Sequence, residues 1–189
     1  MLAIRLLILF IYLFSGANMS TTKENINEYF RLSQEIVIYY QNTAYTYSAD
    51  KEEFKKIISS MDKICLNSHE MPAYGVSLDP DTREAIKSGL WVEFKFEQTQ
   101  EHNDMPFDSL LINVNSEDSG FNLIRLHDNS YEGRCFYLSL DGNMSALFET
   151  LITLIWPYKR RTALKHKAVL FYRTLRAGWL APQILNRAI

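Results

Sequence analysis

The sequence predicts an α+β domain in which an antiparallel sheet of four to five strands packs against helices. Three observations predict this fold class. Apolar residues recur at helical spacing between residues 22 and 65, and they alternate with polar residues from residue 90 onward. The strand-like segments also follow one another with connections too short for crossover helices. We expect a meander packed against two N-terminal helices and one helix after the sheet, followed by a basic C-terminal helix.

Two amphipathic segments predict the N-terminal helices. In the first, from Thr22 to Tyr40, apolar residues recur at the spacing of one helix face. In the second, Asp50 and Glu53 have the spacing of a capping box, in which two side chains bond the first free backbone N–H groups. The apolar stripe of this second helix comprises Phe54, Ile57, Ile58, Met61, Ile64 and Cys65.

The strands are predicted to follow Pro72. Residues 74–78 predict a short strand, and Asp79-Pro80 predicts a brief helical turn that ends at Gly89. Strict alternation then predicts a strand with one buried and one solvent-exposed face. The buried face comprises Leu90, Val92, Phe94 and Phe96. The exposed face comprises Trp91, Glu93, Lys95 and Glu97.

The rest of the sheet is predicted from turn signals. Residues 110–115 and 121–126 predict two antiparallel strands, because the connection between them has hairpin length and ends in a glycine. A turn at residues 128–130 leads into a predicted strand over residues 131–140. The following Asp-Gly-Asn sequence ends the sheet and caps a helix that stops before Pro157.

Charge divides the chain into two parts. The 189 residues include 20 Lys and Arg and 22 Asp and Glu, so the formal net charge is only −2. Residues 157–189 carry eight basic residues and no acidic one, which leaves residues 1–156 at −10. A body of that charge repels nucleic acid and anionic lipid, whereas it attracts a basic protein. We therefore expect an acidic domain over residues 20–156 and a basic tail over residues 157–189.

The first 17 residues contain the three parts of a signal peptide in the usual order. A basic residue at position 5 precedes an unbroken apolar run over residues 6–14, and residues 15–17 are small, as a signal peptidase requires. We expect export, to a periplasm or out of the cell. Two alternatives stay open: initiation at Met19, which would leave the protein cytoplasmic, and an uncleaved membrane anchor.

The sequence contains no clear catalytic, nucleotide-binding or metal-binding motif. Cys65 and the pair His69-Glu70 have the spacing of a partial metal site, but no second motif completes it, so we expect neither a metal nor a cofactor. If the protein is exported, Cys65 and Cys135 form a possible disulfide, because an oxidising compartment favours pairing of an even number of cysteines.

Two groups of residues are candidates for contacting a partner. The acidic candidates are Glu93, Glu97, Glu117 and Asp118. The tail candidates lie on or beside the apolar stripe of a basic amphipathic helix, and they are Arg161, Lys165, Phe171, Arg173, Leu175 and Arg176. Such a tail can dock on the acidic body of the same chain, or it can contact an anionic membrane or nucleic acid.

Three classes of function are consistent with these observations. The favoured one is a small non-catalytic binding protein whose acidic body occludes a basic protein partner, as an inhibitor or a toxin-immunity protein does. The alternative is an envelope- or membrane-associated accessory protein, which the apolar N-terminus or the basic tail would hold in place. A hydrolase is the third class, and the absence of a recognisable catalytic motif makes it the weakest.

Overall fold

A seven-stranded antiparallel sheet forms the centre of the computed structural model, which describes residues 25–72 and 75–156. The described strands are β1 (Glu35–Tyr40), β2 (Thr43–Ser48), β3 (His69–Met71), β4 (Val76–Ser77), β5 (Leu90–His102), β6 (Met105–Asn113), β7 (Gly120–Leu126), β8 (Gly133–Arg134) and β9 (Phe136–Ser139). The sheet has the order β2-β1-β5-β6-β7-β9-β3, and β4 pairs with β8 separately.

Four helices accompany the sheet in the described residues. They are a 3-10 helix (Ile26–Leu32), α1 (Glu52–Ile64), α2 (Asp79–Ala85) and α3 (residues 145–156). The predicted α+β class and antiparallel sheet are thus confirmed, but the sheet is larger than the four or five strands expected. The predicted signal segment and the basic tail helix lie outside the described residues.

The predicted first helix, from Thr22 to Tyr40, is wrong in its second part, because Glu35–Tyr40 forms the first strand of a β-hairpin. Only the 3-10 helix is helical, and the segment after it forms β1, which pairs with both β2 and β5. Gln41 and Asn42 join β1 to β2 with φ angles of 49° and 59°, as in the two-residue turn that matches strand twist. The run Ile36-Val37-Ile38 is β-branched, and strand pairing on both sides overrides its partial helical spacing.

Helix α1 confirms the predicted second helix but not its predicted cap. Phe54, Ile57, Met61 and Cys65 are buried, as the stripe predicts. The residue before the helix is Lys51, and it makes no side-chain capping bond. Asp50 instead accepts a hydrogen bond from the Ser48 hydroxyl at 2.5 Å, so the predicted capping box does not form.

The segment from residue 75 to residue 89 agrees with the prediction in outline. A two-residue strand, β4, precedes α2, which has a proline in its first turn. Gly89 has a φ of 78°, the left-handed conformation expected of a glycine that follows a helix.

The central hairpin is longer than predicted. Strand β5 continues to His102 and β6 begins at Met105, with a turn at Asn103 and Asp104 in which both φ angles are positive. Asp108, which precedes the predicted strand over residues 110–115, is therefore a strand residue. The register between the two strands shifts between Lys95 and Gln100, which marks a β-bulge.

The predicted strand over residues 131–140 is divided in two. Tyr131 precedes the short β8, and β9 carries the pairing with β7 and β3. The helix after the sheet is confirmed as α3, and its side chains Leu147, Leu151 and Ile155 are buried. The backbone N–H of Ser145 donates to Asn143 Oδ1 at 3.1 Å, which fixes the start of the helix.

One face of the sheet packs against the 3-10 helix, α1 and α3. The large core contains fully buried side chains from β1, β5, β6 and β7, together with Phe30, Ile57 and Leu151 from the three helices. The rings of Phe30 and Phe94 have centroids 4.8 Å apart. This packing places the three helices on a single side of the sheet.

The opposite face is also covered around the start of β5, so the predicted solvent exposure of Trp91 and Glu93 is wrong. Trp91 is 9% exposed and Glu93 is 1% exposed. A second apolar cluster forms here from Trp91, Leu111 and Tyr131, with Ile86 and its neighbours at the end of α2 packed against it. The cover comes from segments that are distant in sequence.

Burial predicts different costs for two core truncations. Phe94 is completely buried, so Phe94→Ala is expected to lower the free energy of unfolding by about 3–5 kcal/mol through lost transfer energy and a cavity. Ile58 is only partly buried, so Ile58→Ala is expected to cost about 1–2 kcal/mol. Denaturant titration measures both, and an Ile58→Ala loss equal to or above the Phe94→Ala loss would contradict this packing.

Candidate functional site

The structure separates the acidic residues that the sequence proposed as a partner surface. Glu97 is exposed in the bulged part of β5, while Glu117 and Asp118 are exposed in the β6–β7 turn. That turn lies beside the start of β5, because the Val114 N–H donates to the Leu90 carbonyl at 2.9 Å. Glu97 is seven positions further along β5 than Leu90, a distance of about 23 Å along the strand. Two separate acidic regions therefore exist.

The larger region lies on the β5–β6 hairpin. No Lys or Arg occurs between Lys95 and Arg125, although this stretch forms the middle of the sheet. We define the acidic hairpin by the four carboxylates that it carries on and around its tip, which are Glu97, Glu101, Asp104 and Asp108. Three of these are exposed and Asp108 is partly exposed.

Most basic side chains of the domain form ion pairs away from the acidic hairpin. The described residues include 21 acidic and 10 basic side chains, a formal charge of −11. Six of the ten basic side chains form ion pairs within the domain, which are Arg31–Asp62, Lys51–Asp50, Lys55–Glu52, Arg83–Asp79, Lys87–Glu84 and Lys95–Glu35. None of these six pairs involves the four carboxylates of the acidic hairpin.

One carboxylate of the acidic hairpin is held in place by its neighbours. Asp108 accepts hydrogen bonds from the Thr99 hydroxyl at 2.6 Å and from the Asp128 N–H at 3.2 Å. The His127 ring nitrogen Nδ1 lies 3.4 Å from it. These contacts bring the turn after β7 beside the hairpin, and the Asp128 side chain, which is 91% exposed, adds a further negative charge there.

Glu93 is a buried carboxylate rather than a surface group. The Tyr39 hydroxyl donates to Glu93 Oε2 at 2.7 Å. The Ser109 and Tyr131 hydroxyls donate to Oε1 at 2.5 and 3.0 Å. Three donors from β1, β6 and the segment after β7 thus satisfy one carboxylate, and a buried charge is tolerated only with such partners.

The surroundings of Glu93 seal it from solvent. Arg83 of α2 lies over the Tyr131 ring, with its guanidinium carbon 5.2 Å from the ring centre. The Tyr131 N–H also donates to Asp79 at 2.9 Å. Burial, and then the nearby Glu93 charge, raise the pKa of both Tyr39 and Tyr131 above the ordinary 10.0, so both remain donors at neutral pH. This arrangement joins α2 to the sheet.

A second buried polar pair lies at the other side of the sheet. His102 is 5% exposed, and its Nε2 lies 2.9 and 3.0 Å from the two carboxylate oxygens of Glu70 on β3. The Asn103 amide also donates to Glu70, at 2.9 Å. The pair connects the tip of the β5–β6 hairpin to the edge strand β3.

A cleft of about 940 Å³ opens beside this pair. Its walls carry both charges, since they include the carboxylates of Glu70 and Asp104 and the guanidinium of Arg134. Such mixed walls do not select one class of ligand. Among the described residues, no group of three His, Cys, Asp or Glu side chains is placed to hold a metal ion.

The two cysteines are free thiols in the structure, so the possible disulfide between them is not formed. Cys65 lies in the large core at the end of α1, and burial raises the pKa of its thiol to about 12. Cys135 lies between β8 and β9, where its N–H donates to the Gly75 carbonyl at 3.0 Å. Both are buried in these separate environments.

Comparison of this chain with known proteins identifies no relative from which a site could be inferred. No protein-family model, curated protein sequence or solved structure matches this chain. No helix within residues 25–72 and 75–156 is long and apolar enough to cross a membrane. The tail candidates, from Arg161 to Arg176, lie outside the described residues.

The hydroxyl donors to Glu93 yield a prediction for stability and its pH dependence. Replacing Tyr39 and Tyr131 together by Phe removes two of three donors to a buried charge, so at pH 7 the free energy of unfolding is expected to fall by at least about 2 kcal/mol. Tyr137→Phe is the control, since Tyr137 is not a partner of Glu93.

The pH dependence has a definite sign. Because folding raises both tyrosine pKa values, the stability linked to them is present below pH 10 and is lost as pH rises above it. The double variant should therefore lose stability less steeply than the wild type above pH 10. Urea titrations across this range measure the slopes, and identical slopes would show that these hydroxyls are not buried beside Glu93.

Proposed function

We propose that this protein is a small non-catalytic binding protein whose acidic body neutralises or occludes a basic protein partner, in the manner of an inhibitor or a toxin-immunity protein. The observation that carries the proposal is the acidic hairpin. Its four carboxylates lie in a stretch without Lys or Arg, and none takes part in the six ion pairs named above.

Four carboxylates gathered on one folded hairpin have a physical consequence. Bringing like charges together on one hairpin destabilises the free protein, and this cost is relieved when a surface of opposite charge covers them. A cluster of acids also accelerates encounter with a basic partner, because complementary fields steer diffusion. Both effects favour a protein partner rich in Lys and Arg over nucleic acid or anionic lipid.

The fold anchors the hairpin that carries these acids. β1 pairs with β5 only from Leu90 to Lys95, and beyond the bulge the backbone of β5 is held by β6 and by the Tyr29 hydroxyl, which donates to the Glu101 carbonyl at 2.7 Å. Asp108 is fixed by Thr99 and the turn after β7. Carboxylates on a rigid element lose little conformational freedom on binding, which improves affinity for a matching set of cations.

The other acidic candidates have different places in this proposal. Glu117 and Asp118 form a smaller region at the opposite end of the hairpin, within the same stretch that lacks Lys and Arg. Glu93 is not part of the proposed surface, because it is 1% exposed and bonded to three hydroxyls. The basic tail, at +8, belongs to the same chemical class as the proposed partner and would compete with it if it docked on the hairpin.

The test compares two variants with the same change in charge. The hairpin variant combines Glu97→Gln, Glu101→Gln and Asp104→Asn, and the control combines Asp81→Asn, Glu132→Gln and Glu149→Gln, all at exposed positions. Affinity capture from the native host, followed by calorimetry with the purified captured protein, measures binding. We expect a basic protein to be retained by the wild type and the control and lost by the hairpin variant, with weaker binding at high salt.

Two results would contradict the proposal. Equal loss of binding by both triple variants would show that only net charge matters, without a defined surface. Retention of the same partner by all three proteins would place the binding surface away from the acidic hairpin.

A further inference from the structure

The outer side of β2 is a sheet edge that no described strand covers. β2 is the first strand in the sheet order, and it forms six regular pairs with β1 and no bulge. Its sequence, Thr-Ala-Tyr-Thr-Tyr-Ser, contains no charged residue and no proline. Monomeric proteins usually protect such an edge with lysine, proline or a bulge, because its free backbone groups can pair with another strand.

The hairpin turn determines which backbone groups of β2 point outward. In a two-residue turn with both φ angles positive, the closing residues Tyr40 and Thr43 form a hydrogen-bonded pair. The same alternation continues to the other end of the strand, where the Ala49 N–H donates to the Gln34 carbonyl at 3.0 Å. Every second residue of β2 therefore bonds β1, and the outward residues are Ala44, Thr46 and Ser48.

We propose that β2 pairs antiparallel with β2 of a second copy of this chain, about a two-fold axis at Thr46. Several registers let free groups meet, but the register centred on Thr46 is the one that pairs all three outward residues. Pairing Thr46 with the partner's Thr46 places Ala44 opposite the partner's Ser48 and yields about six hydrogen bonds between the strands. The two sheets then become one continuous sheet.

The side chains of β2 suit this register. The strand reads almost the same in both directions around Thr46, so Tyr45 lies opposite the partner's Tyr47 on the helix-bearing face. Aromatic cross-strand pairs of this kind stabilise antiparallel sheets. The opposite face carries only Ala44, Thr46 and Ser48, which are small and exposed, so nothing large obstructs the approach.

Charge also favours a second copy at this edge. The described residues of each copy carry a formal charge of −11, so two copies repel each other wherever their acidic surfaces meet. β2 has no charge, and in the proposed register the neutral Gln41 and Asn42 of the turn lie beside the partner's Lys51 and Asp50. No like charges are placed opposite each other. The acidic hairpin, two strands away from β2, stays open in both copies.

The other edge of the sheet is less suited to pairing. β3 has three residues, and Glu70 in its centre is occupied by His102 and Asn103. A three-residue strand offers too few free groups for a stable strand-to-strand interface. The interface is therefore assigned to β2.

The first experiment measures the mass of the full chain in solution by sedimentation velocity over a range of concentrations. We expect a dimer with twice the monomer mass of 22.1 kDa. Thr46→Lys brings two ammonium groups together at the axis and should raise the dissociation constant at least about tenfold. Thr153→Lys, at an exposed position on α3, adds the same charge away from the edge and should leave the dimer intact.

The second experiment tests the register by oxidation of single cysteine variants. In a hydrogen-bonded antiparallel pair the two Cα atoms lie about 5.5 Å apart, within the range of a disulfide. Thr46→Cys should therefore give a covalent dimer, while Ala44→Cys alone should not. A mixture of Ala44→Cys and Ser48→Cys should give one. The native Cys65 and Cys135 are buried, so the wild type provides the background.

Three results would overturn the proposal. The full chain could remain a monomer at all concentrations, as it would if another segment of the same chain covered β2. It could form a dimer that Thr46→Lys does not weaken. It could also cross-link through Ala44→Cys alone, which would require a different register.

Discussion

The rest of the structure depends on the burial of both faces of β5 at its start. From Leu90 to Phe94 every residue of this strand is buried. A strand in that position requires an apolar layer on each side. The 3-10 helix, α1 and α3 supply one layer, and α2 with the segment around Tyr131 supplies the other. The carboxylate of Glu93 is therefore enclosed as well, and three hydroxyls from separate segments satisfy it.

The same strand changes character along its length, and this change connects the fold to the proposed function. Beyond Lys95 β5 extends past the cluster around Tyr131, and its exposed positions include the acidic Glu97 and Glu101, while His102 at its end stays buried. The buried half anchors the strand, while the outer half presents charge on a rigid element. If β2 joins two copies edge to edge, the continuous sheet presents two such acidic hairpins to a partner.

Local pattern was sufficient to predict some elements but not others. The stripe of α1, the turn at Gly89 and the pairing of β6 with β7 are encoded by neighbouring residues, and they could be predicted. The residues of β1 fit a helix as well, because Ile36, Val37 and Tyr40 also have helical spacing. The β-branched run and the polar Gln41-Asn42 turn favour a hairpin instead. The burial of Glu93 could not be predicted, since its donors and cover come from residues up to 54 positions away. The charge of the acidic hairpin was visible in sequence, whereas its separation from Glu117 required the strand register.

Native-state hydrogen exchange of the backbone amides tests the central role of β5 most directly. If two-sided burial of this strand holds the domain together, the amides of Val92, Glu93 and Phe94 should exchange only through global unfolding. Their opening free energies should then equal the unfolding free energy from denaturant titration. Faster exchange at these positions than in α3 or β2 would contradict the account, because it would show that β5 opens while the layers around it stay folded.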